Sequence, residues 1–240
     1  MSLTKASGNM YNWLTHMHTH LGGECPHRCV YCYVKRGRAG NSPKYKGEFR
    51  LIESELDVNY GSGKIIFIEH MNDLFAWANT NENEMHWNRI AILQHCQRYP
   101  ENQYVFQTKN PEKALKYMTY FPPNFLFGTT IETNDSDLLT GKTQAPDPYD
   151  RFMAMLEWAY VHQDKNFVTI EPIMTFSTPI LGGWIKGIDP LFVNIGADSK
   201  NSGLAEPDPI ALNGLIAFLT MAHLDVRIKD NLQRLIKKGA

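Results

Sequence analysis

Cysteine is scarce in this chain, with four in 240 residues. No apolar leader opens the sequence, so the few thiols argue against a disulfide-stapled secreted scaffold and predict a reducing, cytoplasmic compartment. Long apolar runs are missing as well. None approaches the roughly 18 residues of a membrane span, and no membrane partner is expected. A surplus of either charge is also absent: 24 Lys and Arg stand against 25 Asp and Glu, for a net charge of -1, so nothing global draws the chain to nucleic acid or lipid. There is no internal repeat and no low-complexity tail. What remains is a length that suits one larger domain spanning 1–240, such as a single α/β barrel with a sizeable core.

Short β-rich apolar runs alternate with helical patterns, the order that a parallel sheet with crossover helices requires. Strand candidates are Ile65–Ile68, Tyr104–Gln107, Phe125–Ile131, Phe167–Ile170, Leu191–Ile195 and Asp225–Ile228, preceded by a strand over Tyr11 to His18. Between them, Trp87 to Arg98 reads as a helix. Asn110-Pro111 is a cap with proline at the first helical position, before Ala114, Leu115, Met118 and Phe121 on one face. Phe152, Met155, Leu156 and Ala159 repeat this after Pro148, as do Leu212, Leu215, Ile216 and Leu219 after Asp208-Pro209. Six or seven parallel strands predict the fold class: α/β, a single complete or partial (β/α) barrel.

The chemistry concentrates in Cys25-Pro-His-Arg-Cys29-Val-Tyr-Cys32. Three cysteines at spacings of four and three form a compact, three-pronged metal site. Structural zinc is normally closed by four protein ligands, whereas a [4Fe-4S] cluster on three thiolates leaves one iron open. Zinc remains an alternative if His27, His20 or Cys96 supplies a fourth ligand. A disulfide pair is a weaker alternative. Cys96, inside the Trp87 to Arg98 helix, reads as a small buried apolar residue.

Polar residues follow each apolar run: Glu69 to Asp73, Gln107 to Lys109, Glu132 to Asn134, Glu171-Pro172 and Gly196 to Lys200. In a barrel of this kind, strand ends carry the chemistry, and together these outline a polar mouth. His16, His18 and His20 alternate, so in an extended strand all three face one way. Inward, they reach substrate, a proton or a second metal; outward, they form a solvated edge. A bland role is expected for at least two, because no carboxylate in the same run orients a metal-bound ring. After the cysteines, Arg28, Lys35, Arg36, Arg38, Lys44, Lys46 and Arg50 are opposed only by Glu48. This is either a patch that steers phosphate-bearing substrates, with Tyr33, Tyr45 and Phe49 to stack on a base, or a solvated loop. Two polar loops, 79–84 and 133–147, are lids, substrate clamps or merely mobile.

The cysteine spacing, with an aromatic just before the last cysteine, resembles the signature of the radical S-adenosylmethionine (SAM) superfamily. That resemblance implies Cys25, Cys29 and Cys32 as ligands of a [4Fe-4S] cluster whose open iron chelates SAM, and Tyr31 as the aromatic beside cluster and adenine. It further implies an external electron donor such as a flavodoxin or ferredoxin, and reductive cleavage of SAM to a 5'-deoxyadenosyl radical. Met71-Asn-Asp-Leu-Phe75, Phe106-Gln-Thr-Lys-Asn-Pro111, Gly128-Thr-Thr-Ile-Glu132, Thr169-Ile-Glu-Pro172 and Ile195-Gly-Ala-Asp198 are similar to the strand-end motifs of a phage-associated radical SAM family, distantly akin to spore photoproduct lyase. By position, these imply Lys109 for the SAM carboxylate, Glu132 or Glu171 for ribose or amino group, and Asp198 near adenine or substrate. The Gly-Gly-Glu run that many members use for the SAM amino group is missing, and Asn72 and Asp73 stand in its place. The kinship points to a nucleobase in DNA or a free nucleotide as substrate. The lyase returns its hydrogen through a late cysteine that this chain lacks, which favours rearrangement or insertion over dimer reversal. Modification of a peptide or small metabolite is the alternative enzyme reading, and a non-catalytic zinc or iron-sulfur module the alternative outside enzymes.

Overall fold

The computed structural model describes residues 3–7, 10–78 and 81–236, with the side chains of Arg38 and Ala39 outside the description. Its strands are β1 (Thr4–Lys5), β2 (His16–His18), β3 (Leu21–Gly22), β4 (Arg50–Leu51), β5 (Ile65–Ile68), β6 (Gln103–Thr108), β7 (Phe125–Thr130), β8 (Asn166–Ile170), β9 (Val193–Ile195) and β10 (Val226–Ile228). Eight of them form one sheet in the order β1-β2-β5-β6-β7-β8-β9-β10, and β3 pairs with β4 as a separate ribbon. β1 is antiparallel to β2, and the other seven strands of the large sheet run parallel. The chain is therefore α/β with seven parallel strands, as the alternation of patterns predicts.

Helices α1 (Tyr33–Arg36), α2 (Glu82–Gln97), α3 (Pro111–Leu115), α4 (Pro148–Val161), α5 (Thr178–Ile188), α6 (Pro209–Met221) and α7 (Gln233–Ile236) connect and follow the strands. Alternation along each strand separates two packed layers. Ile66, Ile68, Tyr104, Phe106, Phe127, Val168, Ile170, Val193 and Ile195 belong to the larger core with the helices. Met17, Phe67, Val105 and Phe167 join Tyr11, Leu14 and Phe192 in a second core on the other face. Tyr11 hydroxyl bridges Gln107 of β6 (2.6 Å) and Thr169 of β8 (2.7 Å), two strands separated by β7. That face is thus concave, with Tyr11 plugging its interior. Gly128 of β7 is required there, because a Cβ would lie 2.4 Å from the Phe167 ring.

Several boundaries differ from expectation. The first parallel strand holds only His16–His18, since Leu14 N–H turns back to Tyr11 C=O (3.1 Å) and both side chains enter the interior core. α2 begins at Glu82, five residues before Trp87, because its first turn is polar and carries no apolar stripe. Glu82 and Glu84 there suit the positive end of a helix. α5 goes unpredicted: Gly182, Gly183 and Gly187 lower helix propensity, and packing of Leu181, Ile185 and Ile188 overrides it. Among the described residues no helix is long and apolar enough to cross a membrane.

Candidate metal and cofactor site

The C-terminal ends of the parallel strands surround a cavity of about 470 Å³, lined by Cys25, Cys29 and Cys32 along with Tyr31, Asn72, Asp73, Lys109, Glu171 and Asp198. That volume falls within the range of small-molecule sites, roughly 300–1,000 Å³. Two tight turns bring the cysteines together: Arg28 N–H donates to Cys25 C=O (3.1 Å) and Cys32 N–H to Cys29 C=O (3.2 Å). Arg28 adopts the left-handed region at φ 48°.

The 133–147 loop is latched over this turn. Val30 N–H donates to Lys142 C=O (2.9 Å) and Gln144 N–H to His27 C=O (2.7 Å), while Thr143 Oγ1 sits 3.1 Å from Cys29 Sγ. Of the other polar loop, Asn79 and Thr80 lie outside the described residues. Asn81 donates to Phe49 C=O (2.9 Å), away from the cavity lining.

Burial raises the Cys25 thiol well above its ordinary range, helped by the Asp73 charge, and burial likewise raises Cys29. Such thiols stay protonated until a metal displaces the proton. Of the three residues weighed as a fourth ligand, only His27 lines the cavity with the three cysteines, and a ring nitrogen held by a carboxylate leaves the other nitrogen of that histidine open. His27 Nε2 bonds Asp73 (2.8 Å), His20 bonds Glu69 (2.7 Å), Tyr60 (2.8 Å) and His95 (3.0 Å), and Cys96 is buried within α2. Among the described residues no three His, Cys, Asp or Glu side chains are grouped to hold a single ion.

Asp73 ties three segments together. Its carboxylate accepts from Thr108 Oγ1 (2.7 Å), Lys109 N–H (2.8 Å) and Phe75 N–H (3.0 Å) and pairs with His27. Burial would raise it, but His27 and these donors hold it below its ordinary value. Asn72 donates to Gly23 C=O (3.3 Å), and its Oδ1 is buried without a partner. Asp198 caps the following loop through Lys200 N–H (2.9 Å) and Ser202. Glu171 meets Lys229 Nζ (2.6 Å) and Asn231 Nδ2 (2.9 Å), two partners that sequence reasoning missed. Gly196 makes room for it, since a Cβ there would lie 2.7 Å from the Glu171 carboxyl.

Glu132 is placed differently. It is fully buried and stands behind the cavity wall, accepting from Tyr31 hydroxyl (2.7 Å), Arg151 Nη1 (2.7 Å) and Lys109 Nζ. Burial pushes its carboxyl up, but the charges of Arg151 and Lys109 with hydrogen bonds from Lys109 and Tyr31 overcome that and hold it at about 2. Arg151 also went unnoticed, since nothing in an amphipathic helix marks one arginine as buried.

None of His16, His18 and His20 lines the cavity. His18 and His20 are buried, with ring centroids 4.5 Å apart, and meet carboxylates from elsewhere in the chain, Glu55 and Glu69. His16 sits half-buried against Thr15. His70 and Gln107 do line the cavity. The basic run is partly structural. Lys44 pairs with Glu55 (2.7 Å), Arg36 donates to Val30 C=O (2.8 Å) and Arg50 to Glu48 C=O (2.9 Å), whereas Arg28, Lys35 and Lys46 are exposed.

Neither a protein-family model nor a curated protein matches the chain. Solved structures do. A spore photoproduct lyase variant superposes with TM-score 0.61 at 10% identity, over 94% of this chain and 79% of its own. A lyase variant with bound AdoMet and dinucleoside spore photoproduct gives 0.54 at 12%, over 91% and 64%. Streptococcus suis SuiB bound to S-adenosylmethionine gives 0.54 at 11%, over 93% of this chain and 52% of that one. At such identities the likeness is one of architecture, and the chain shares its α/β fold with spore photoproduct lyase and SuiB.

Proposed function

We propose that the protein is a radical SAM enzyme. The observation that carries this reading is the set of three free cysteines on the wall of a cavity at the strand ends of this fold, with no fourth cysteine among the described residues that line it. When bound, a [4Fe-4S] cluster and SAM supply one-electron reductive cleavage to a 5'-deoxyadenosyl radical, which takes a hydrogen atom from substrate.

The chain's own residues bind, orient and exclude water. Asn72 Oδ1, buried without a partner, is an acceptor for the SAM amino group. Lys109, whose ammonium meets Glu132, would offer it to the SAM carboxylate, Tyr31 would set its ring beside the adenine, and Glu171 and Asp198 would offer their polar atoms to the ribose and adenine side. The latched 133–147 loop keeps the cysteine turn shaped before any cofactor arrives. Reduction comes from an external flavodoxin or ferredoxin.

For substrate, the reading is a nucleobase in DNA or a nucleotide. Its support is the lyase structure with dinucleoside spore photoproduct and the exposed Arg28, Lys35 and Lys46. A peptide is the second reading, favoured by the likeness to SuiB bound to precursor peptide SuiA. The test is anaerobic reconstitution with iron and sulfide, reduction with dithionite in the presence of SAM, and assay for 5'-deoxyadenosine. Wild type is expected to form it and Cys32→Ala to form none; tight zinc and no product would overturn the proposal. Retention on single-stranded DNA that weakens with salt supports the nucleic-acid reading, because phosphate contacts release counterions. Indifference to DNA favours the peptide.

A further inference from the structure

Lys109, Glu132, Arg151 and Tyr31 form a charge network immediately behind the cysteine wall. Glu132 follows β7 and is fully buried, as is Arg151 of α4, which also donates to Pro146 C=O (2.7 Å) and Thr130 C=O (2.9 Å). One Glu132 oxygen takes the Tyr31 hydroxyl and the Lys109 ammonium, and the other takes Arg151. Lys109 Nζ lies 5.2 Å from the centre of the Tyr31 ring. Tyr31 and Lys109 line the cavity with Cys29, whereas Glu132 does not reach it. A carboxylate so surrounded is poorly placed to bind cofactor and well placed to hold its neighbours still.

We infer that this network sets the reduction potential of the metal centre, with Glu132 as the positioning residue that holds Tyr31 and Lys109 against the cysteines. The inference rests on the reading of those cysteines as iron-sulfur ligands. Two cations share one carboxylate, so the network carries one net positive charge beside Cys29. Nearby charge and solvent exposure tune iron-sulfur potentials, and charges interact strongly where water is excluded. Positive charge favours the electron-rich, reduced state. Tyr31 packs with Cys29 in one small buried cluster, and Lys109 shares the cavity wall with both.

The test is a one-electron titration of the reconstituted full-length protein with Ti(III) citrate, without SAM, following the reduced centre by EPR. Lys109→Met removes a cation and is expected to lower the midpoint. Glu132→Gln leaves two cations unopposed and is expected to raise it. Tyr31→Phe changes no charge and should shift it less than either. Shifts of opposite sign at normal iron and sulfide content support the inference. Unchanged midpoints, or shifts of one sign, overturn it, since a merely structural role would alter cluster content or stability and not potential. If Glu132→Gln fails to fold around an unpaired Arg151, Lys109→Met decides alone, because that lysine side chain is 17% exposed and its loss leaves a neutral Glu132–Arg151 pair. A wild type that takes up no iron-sulfur centre overturns the reading of the cysteines, and this inference with it.

Discussion

Glu69 and Glu132 are both buried carboxylates at strand ends, yet their environments push their protons in opposite directions. Burial raises Glu69 from an ordinary 4.5 to about 7, against the backbone N–H groups of His20 and Leu21 that favour its charged form. Its neighbour His20 is lowered to about 3 by burial and stays neutral, and the charge of Lys44 does not outweigh the burial of the carboxylate. Glu132 has two cations and remains charged. The sign for stability follows from linkage: folded Glu69 holds its proton where the unfolded chain has released it, so its contribution is full below about 4.5 and is lost as pH rises to about 7. At about 1.36 kcal/mol per pKa unit that is on the order of 3 kcal/mol. Thermal melts across this window should show Glu69→Gln with a flatter pH dependence than wild type; parallel curves would refute the assignment. Both glutamates are legible in the sequence as polar strand ends. Their opposite states are not, because His20, Lys109 and Arg151 reach them from distant positions.

At the scale of the element, α4 shows how far local signals carry. Asp147 accepts from Tyr149 N–H (2.8 Å), and Pro148 occupies the first turn. The same Asx-Pro start opens α3 at Asn110 and α6 at Asp208. These starts are readable because cap and proline act within one turn. Replacing Asp147 with Ala should cost about 1 kcal/mol, measurable by denaturant unfolding, and an unchanged midpoint would show that the cap is idle. α4 also brings Arg151 to Glu132, so loosening its first turn reaches the site. α5 illustrates the opposite case: its glycines speak against a helix locally, and only contacts with neighbouring elements decide it. The 133–147 loop is another such case. Its polar composition does not foretell the hydrogen bonds from Val30 N–H to Lys142 C=O and from Gln144 N–H to His27 C=O that join it to the cysteine turn.

For the whole molecule, the concave interior makes the site possible, and it depends on one small residue. Phe167 crosses the inner face above Gly128, and Tyr11 ties β6 to β8. Gly128→Ala would drive a methyl group into a fully buried ring, an overpacking expected to cost roughly 1–3 kcal/mol. Denaturant unfolding checks this, and a wild-type midpoint would mean the interior has slack. The sequence by itself determined the alternation of strand and helix, the three-cysteine turn and the polar strand ends, because periodicity, caps and close spacing act over a few residues. Tertiary structure alone decided which of those polar residues face the cavity, which stand behind it as Glu132 does, and which histidines are withdrawn from it. Burial and charge pairing join residues scores of positions apart, and no local pattern records where the sheet curves to bring them together.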